Sequence, residues 1–497
     1  MNATHQPFPP DHGAPTSHGG SSQGGGRSNS ADNADWAGLR AALTGELLLP
    51  GRPGYDAARR PAIANFADVR PLAVVRCATP DDVAAAIGFT AGQGLPAAAR
   101  AGGHCFAGRS STAGVVIDLT PMNGIEVEGG RLRVGGGARL GQVYDQLAAH
   151  GLTIPAGCGP TVGVAGLTLG GGLGILGRMH GLTSDRLLGA DVVLPDGRRL
   201  TCNSTEHPDL FWLLRGGGSP GVVTELQLAA VPAPAMTGFH LQWTGSAAAP
   251  LVLAWQEWAP DAPDELAASL LVSVAGDVQR PAVVSLFGAF TGTQADAVAT
   301  LGGLLALVGL TPESAAYRHG SHREVKRFLN GIDVHGSGVI DPPGFMYCKS
   351  EYFDQSLPTD TVAALMDALT GDRSPGEVRE LDFTPWAGAY TRVPVDASAF
   401  VHRTARFLLK HGLTVPAADQ DVGRRWLRRS WDLTHPWGNG GCYQNFPDPD
   451  LPNPTDSYYT TNAARVRRIR QRYDPQGRFH PETEHSHRLI SLSRKNR

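Results

Sequence analysis

The stretch "PAGCGPTVGVAGLTLGGGLGILG", Pro155 to Gly177, holds nine glycines and one complete G-x-G-x-x-G at Gly172, Gly174 and Gly177. As the phosphate turn of a Rossmann unit it needs a buried strand running into the first glycine, a helix opening there and an acidic residue about 20 positions on. Asp191 meets the distance requirement. The strand does not materialise, because Gly163, Gly166, Gly170, Gly171 and Gly172 interrupt whatever precedes Gly174. The fingerprint is therefore read as an accident of glycine density, and the stretch as a cradle of another kind.

A second glycine turn, "RAGGH" at Arg100 to His104, lies upstream. It and "GPTVGVAGLTLGGG", Gly159 to Gly172, are suited to present backbone N–H groups to a diphosphate with no side chains in the way. Two such turns on neighbouring strands make a long cradle, which suits an extended dinucleotide such as FAD.

Around these turns the pattern is α/β-like. From Arg70, "PLAVVRCA" reads as a strand, "TPDDVAAAIGFTAGQG" as a capped helix ended by glycine, and "LPAAARAGGH" as strand then turn. "GVVIDLT" and "RLRVGGG" read as strands, "ARLGQVYDQLAAHG" as a helix, and "LLGADVVLPDGRRLTC" as a hairpin about an Asp-Gly turn. The predicted organisation is a tail over 1–33, rich in Gly, Ser, Pro and His and without a packed core; a cofactor-binding region over 46–232; a second domain over 233–440; a segment over 441–481 that returns to the first; and a frayed tail over 482–497.

Whole-chain properties agree with a globular protein: 497 residues, 41% hydrophobic, 18% charged and a formal charge of -3, which gives no reason to expect a nucleic-acid partner. The arginine runs "GRRWLRRSW" and "ARVRRIRQRYD" are read as solvated faces of amphipathic helices. No run approaches the ~20 apolar residues that span a bilayer, and no apolar signal core opens the chain, so the expectation is a soluble, cytoplasmic protein. The six cysteines form no C-x-x-C pair, which argues against a zinc site or a disulfide framework. No metal is expected.

The ordered set "RAGGHCFAG", "PTVGVAGLTLGGGLG", "HPDLFWLLRGGG", "SAFVHR", "YQNF" and "YYTTN…RYDPQGRF" resembles the berberine bridge enzyme-like FAD-linked oxidases, within the vanillyl-alcohol oxidase and p-cresol methylhydroxylase fold group. The resemblance runs from about Arg70 to Phe479. It implies an α+β fold in which a PCMH-type FAD-binding module, closed by a C-terminal berberine-bridge-type segment, carries an antiparallel-sheet substrate domain with helices.

It also implies site residues. The histidine of R-x-G-G-H maps onto His104 and is joined in the family to the flavin 8α-methyl, a reasonable role for a neutral imidazole nucleophile. Arg100, Ala101, Gly102, Gly103, Cys105, Gly159, Thr161, Val162, Gly163, Gly166, Leu167, Gly170, Gly171, Gly172, Val223 and Asn462 fall on cofactor-binding positions. Many members add a second link through a cysteine in A-G-x-C-P-T-V-G, but here Gly159 holds that position and Cys158 falls one residue early. In extended backbone that shift reverses the side chain, so a single link through His104 is expected unless a local bulge rescues Cys158.

Other departures are Ser219 and Pro220 after the glycine run, Thr460 where a glycine usually follows the Tyr pair, and Ala463. Val162 is similar to the small residue of members that reoxidise with O₂, and is equally a plain core valine.

On the substrate side, Tyr443 of "GCYQNF" matches the tyrosine that often serves as base; its alternative is a buried aromatic with a satisfied hydroxyl. Tyr390 and Arg392 sit on the predicted strand "WAGAYTRVPV" and, two apart, share a face. Lys349 and Tyr352 are further pocket candidates with a core or surface role as the alternative.

The resulting reading is an FAD-dependent oxidase moving hydride from an alcohol or amine carbon of a small-molecule carbohydrate or natural-product substrate to flavin N5, with O₂ as acceptor and H₂O₂ as product. The alternatives are a 6-hydroxynicotine-type amine oxidase, a flavin-binding protein with little turnover, and a nicotinamide-dependent reductase.

Overall fold

The computed structural model describes residues 34–334, 344–416 and 419–479. Both tails, and residues 480 and 481 of the C-terminal segment, lie outside the described residues.

Strands β1 (Glu46–Leu48), β2 (Ala73–Arg76), β3 (Ala97–Arg100) and β4 (Val115–Asp118) form one sheet in the order β1-β2-β4-β3, with β2, β4 and β3 parallel. The crossover from β2 to β3 is the helix Pro80–Gly92. Thr79 accepts from Asp82 N–H and the Asp82 carboxylate accepts from Thr79 N–H, a reciprocal cap that fixes where this helix starts.

Strands β5 (Ile125–Glu128) and β6 (Arg131–Gly135) open a second, five-stranded sheet; β7 (Leu152–Thr153) stands apart; β8 (Leu187–Val193), β9 (Arg199–Asn203) and β10 (Val222–Ala229) complete the second sheet in the order β5-β6-β10-β8-β9; and β11 (Val231–Pro232) pairs with β7. The Asp-Gly hairpin is β8 and β9, antiparallel with Val193 opposite Arg199. No strand leads into Gly172: the helix Val164–Leu169 precedes it.

The third sheet has seven antiparallel strands: β12 (Ala235–Thr244), β13 (Leu266–Val274), β14 (Val283–Phe290), β15 (Ser314–Ser321), β16 (Phe345–Phe353), β17 (Val378–Pro385) and β18 (Phe407–Val415), ordered β15-β12-β14-β13-β17-β18-β16. One face is apolar: Leu241, Leu270, Val272, Leu286, Leu381, Phe383, Leu409 and Leu413 pack under the helices Ala248–Trp258, Gln294–Val308, Thr359–Thr370 and Gln420–Thr434. The period of two places the alternate residues on the other face, where polar positions gather toward its middle: Ser273 stands opposite Glu380, and Lys410 opposite both Asp382 and Ser350. That polar face looks toward the glycine-rich segments, since Ser350 Oγ accepts from Tyr443 N–H and Asn65 brackets the backbone of Met346.

Among the described residues no helix is long and apolar enough to cross a membrane. Both arginine runs are helical. Trp426 is buried with its indole N–H on the Ala368 carbonyl, and Arg424, Arg467 and Arg472 pair with Asp450, Asp456 and Asp209.

Candidate functional site

The two glycine turns, 60 residues apart in sequence, meet backbone to backbone. A Cβ on Gly102 would stand 2.3 Å from the Gly163 nitrogen, and one on Gly163 2.6 Å from that of Gly102. Neither position tolerates a side chain, which is why both are glycine. The junction brings Thr161 Oγ1 to 2.9 Å from His104 Nε2, and a hydroxyl on one ring nitrogen sets the imidazole's tautomer and orientation. His104 and Thr161 keep exposed surface, and a Cβ on Gly166 would have nothing within 4 Å. This surface offers bare glycine backbone and one imidazole, a donor set that fits a diphosphate-bearing flavin.

The second half of the cradle differs from the sequence expectation. Gly166 and Leu167 lie within the short helix Val164–Leu169, and only Gly170 to Gly172 turn freely, with φ of 113° at Gly171 and 86° at Gly172. Asn445 Oδ1 would lie 2.1 Å from a Cβ on Gly170, so that glycine admits the asparagine, which donates to the Leu167 carbonyl. Val162 is half-buried against the core beneath this turn, and Val223 is buried in β10 opposite Val192.

Tyr443 projects into the same turn. Its oxygen accepts from Gly172 N–H at 3.0 Å, Leu173 N–H at 3.1 Å and the Asn445 amide at 3.1 Å. Burial raises its pKa, while Asn445 and the two backbone donors pull it down. Three N–H donors on one phenol oxygen suit the deprotonated form, which offers one more lone pair than the phenol. Around it pack Leu182, Tyr352, Trp386, Tyr390, Phe400 and Leu408, with Phe446 edge-on at 5.1 Å and Phe106 6.5 Å beyond Phe446.

Tyr390 and Arg392 do not share a face. The predicted strand "WAGAYTRVPV" is absent: β17 stops at Pro385 and Gly388–Tyr390 is a 3₁₀ turn, in which residues two apart point in different directions. Tyr390 is buried, stacked on Trp386 at 4.4 Å, and its hydroxyl donates to the Gly174 carbonyl at 3.0 Å. A side chain at Gly177 would occupy the place of that hydroxyl. Arg392 is exposed and pairs with Asp264, outside the site.

Two cofactor candidates also serve the scaffold instead. The Arg100 guanidinium donates to the carbonyls of Ala58, Arg59 and Ser110, and the Asn462 amide to those of Val395 and Ser398. In each case the donors are consumed by loops. Cys105 is half-exposed, not buried with Cys77, Cys202, Cys348 and Cys442. Thr460 takes φ 35°, a region that favours glycine, so this departure from the family pattern carries backbone strain. Lys349 is buried in an ion pair with Asp448 at 2.5 Å, and Tyr352 stacks on His402 at 4.3 Å.

Sequence reading missed the charged roof. Lys410 Nζ lies 3.3 Å from Glu380 and 3.9 Å from Asp382, and 5.5 Å from the centre of the Phe446 ring. Burial alone would lower the lysine's pKa; the two carboxylates outweigh it and raise it. Asn445 was also missed as a site residue, although it stands two residues after Tyr443 in the quoted "YQNF". Among the described residues no group of His, Cys, Asp or Glu is placed to hold a metal ion.

Comparison with known proteins identifies the family. Residues 71–203 match the FAD binding domain model and residues 442–483 the berberine and berberine-like model. The uncharacterized FAD-linked oxidoreductase YvdP of Bacillus subtilis is 30% identical over 448 residues, covering 88% of this chain and 97% of the relative. The chain belongs to the berberine bridge enzyme-like family of FAD-linked oxidoreductases. Another relative, the chitooligosaccharide oxidase of Gibberella zeae, is 30% identical over 441 residues, 82% of this chain and 86% of that one. Among solved structures, 6-hydroxy-D-nicotine oxidase from Arthrobacter nicotinovorans superposes with a TM-score of 0.78 at 25% identity, covering 88% of this chain and 96% of that one. The fold is thus the PCMH-type FAD module with an antiparallel sheet, and the match to the FAD binding domain model supports FAD as the cofactor.

Proposed function

We propose that this protein is an oxidase carrying FAD on His104 alone, with Tyr443 as proton acceptor and O₂ as electron acceptor, acting on an alcohol or amine carbon of a carbohydrate or natural product. The observation that carries it is the convergence of Gly172 N–H, Leu173 N–H and Asn445 on the Tyr443 oxygen. When bound, FAD supplies the hydride acceptor and passes the electrons on to O₂ as H₂O₂. The chain's part is to hold the substrate carbon in place and to take the proton of its O–H or N–H group.

Tyr443 Oη receives that proton in its deprotonated form, and the three N–H donors stabilise this phenolate against the burial that raises its pKa. The half-buried Lys410, Glu380 and Asp382 supply donors and acceptors on the roof for substrate hydroxyl or amine groups, beside the apolar Phe446. The names of the relatives, an oligosaccharide oxidase and a hydroxynicotine oxidase, support both substrate classes.

Attachment through His104 is supported by the 2.9 Å contact with Thr161. A single link is supported by Cys158, whose thiol lies beside Lys326 and Tyr144. The test is reduction of the purified holoprotein by a panel of oligosaccharides, secondary alcohols and cyclic amines, repeated with Tyr443→Phe. The expected result is bleaching of the flavin by one class and a loss of about 10²–10⁴ in that rate for the variant, with FAD still bound. An unchanged rate would move the base elsewhere, and no reduction by any compound would favour a flavin-binding protein with little turnover.

A further inference from the structure

The helix His322–Asn330 follows β15 and packs between the seven-stranded sheet and the cradle: Val325 lies with Met236 of β12 and Ala289 of β14, while His322 and Lys326 reach Thr153 and the carbonyls of Ala156 and Gly157. His322, Val325 and Lys326 are its buried residues, spaced to share one helical side. Thr153 Oγ1 lies 3.2 Å from His322 Nδ1, Tyr144 meets that imidazole edge-on at 5.5 Å, and Arg323 pairs with Asp145.

Lys326 reaches deepest. Its ammonium donates to the Ala156 carbonyl at 2.5 Å, the Gly157 carbonyl at 2.9 Å and the Tyr144 hydroxyl at 3.0 Å, with the Cys158 thiol beside it. Tyr144 in turn donates to the Gly157 carbonyl at 2.6 Å. Burying an ammonium is costly unless every proton is used, and here two go to carbonyls at the start of the cradle segment and the third to the Tyr144 hydroxyl, which is itself bonded to Gly157.

The other end of that segment is held by the helix Leu140–Ala148. Leu140 N–H donates to the Val162 carbonyl and Gly141 N–H to that of Pro160, each at 2.9 Å. Thr161, the residue against His104, lies between these two backbone contacts, four positions beyond the last carbonyl that Lys326 holds.

We infer that Lys326 is a positioning residue for flavin attachment: it fixes the 156–161 segment so that Thr161 holds the His104 imidazole in its reactive orientation. This rests on the covalent reading above. In the attachment one bond forms between an imidazole nitrogen and the 8α-carbon; the imidazole N–H and one 8α C–H break. The two protons and two electrons released convert one O₂ to H₂O₂, so atoms and electrons balance.

The experiment compares wild type, Lys326→Met, Lys326→Arg and His104→Ala, each expressed with FAD. It measures the fraction of flavin that stays with the acid-precipitated polypeptide, beside the melting temperature. Lys326→Met is expected to bind FAD that acid releases, its covalent fraction falling about tenfold, the scale on which a group orienting a ligating or reacting side chain is felt. Lys326→Arg, which keeps charge and donors, is expected to recover most of it.

A wild-type covalent fraction in Lys326→Met would overturn the inference while leaving covalent attachment intact. So would equal loss in both variants tracking the melting temperature, or failure of both to fold, since either makes Lys326 a packing requirement only. Acid release of flavin from the wild type would remove the covalent reading itself, and this inference with it.

Discussion

Replacing Asn445 by Ala removes one of the three donors to the Tyr443 oxygen while leaving the two backbone donors of Gly172 and Leu173. A hydrogen bond to a charged oxygen contributes about 1.5–3 kcal/mol. At 1.36 kcal/mol per unit, losing it from the phenolate alone raises the phenol's pKa by about 1–2 units. Burial already holds Tyr443 above the ordinary tyrosine value, so the rate of flavin reduction ascends with pH as the phenol deprotonates. The variant's ascending limb is displaced upward by that amount. On the acid side of the limb, where rate is proportional to the deprotonated fraction, this is a loss of about 10–100-fold. Stopped-flow reduction across a pH series, with any substrate that bleaches the wild type, measures it. The reasoning is refuted if the limb stays in place while the plateau falls, because a different group would then be titrating.

Two further outcomes concern stability. Arg403 holds Asp185 through two contacts of 2.7 and 2.8 Å, with both side chains nearly dry, tying the loop after the cradle to the segment that carries Phe400. Asp185→Asn leaves that guanidinium without its counter-charge and should cost about 3–5 kcal/mol in urea unfolding; a cost under about 1 kcal/mol would show the pair is screened by solvent. His322, His402 and His411 are each lowered to about 3, chiefly by burial. They take up protons in the unfolded chain first, so their stability is complete above the unfolded value near 6.5 and is lost as pH falls toward 3, at up to about 4 kcal/mol per pH unit for the three together. Glu351 and Asp448, raised by burial, oppose this over the lower part of the window. Unfolding midpoints in urea should still fall between pH 6 and 4.5, and less so in His411→Gln; a flat profile in both would contradict it.

Much of the cradle is legible in the sequence because its signals are local. A Pro after a capping Thr, a glycine ending the helix and an Asp-Gly turn each act within a few residues, and they place the helix Pro80–Gly92 and the β8–β9 hairpin well. "WAGAYTRVPV" misleads for the opposite reason. Its short apolar run has the look of a strand, but the stacking of Tyr390 on Trp386 and the space opened by Gly177 bend it into a turn. The roof could not be read from one segment, because Glu380 and Asp382 on β17 and Lys410 on β18 become neighbours only through the sheet register. Lys326 hides in the same way: within "HREVKRFLN" a lysine reads as solvated, and only docking on the cradle makes it buried. Arg100 and Asn462 show the converse, since motif positions name a residue without saying which of its neighbours its donors will meet.

The central claim is that His104, held by Thr161, is the sole point of flavin attachment. It is tested most directly by the mass of the flavin-bearing peptide after acid precipitation and proteolysis, with His104→Ala alongside. The account predicts flavin on the His104 peptide alone and none on the variant. Flavin bridging His104 and Cys158 would contradict the placement of Cys158 against Lys326, and flavin lost entirely on precipitation would contradict covalent attachment.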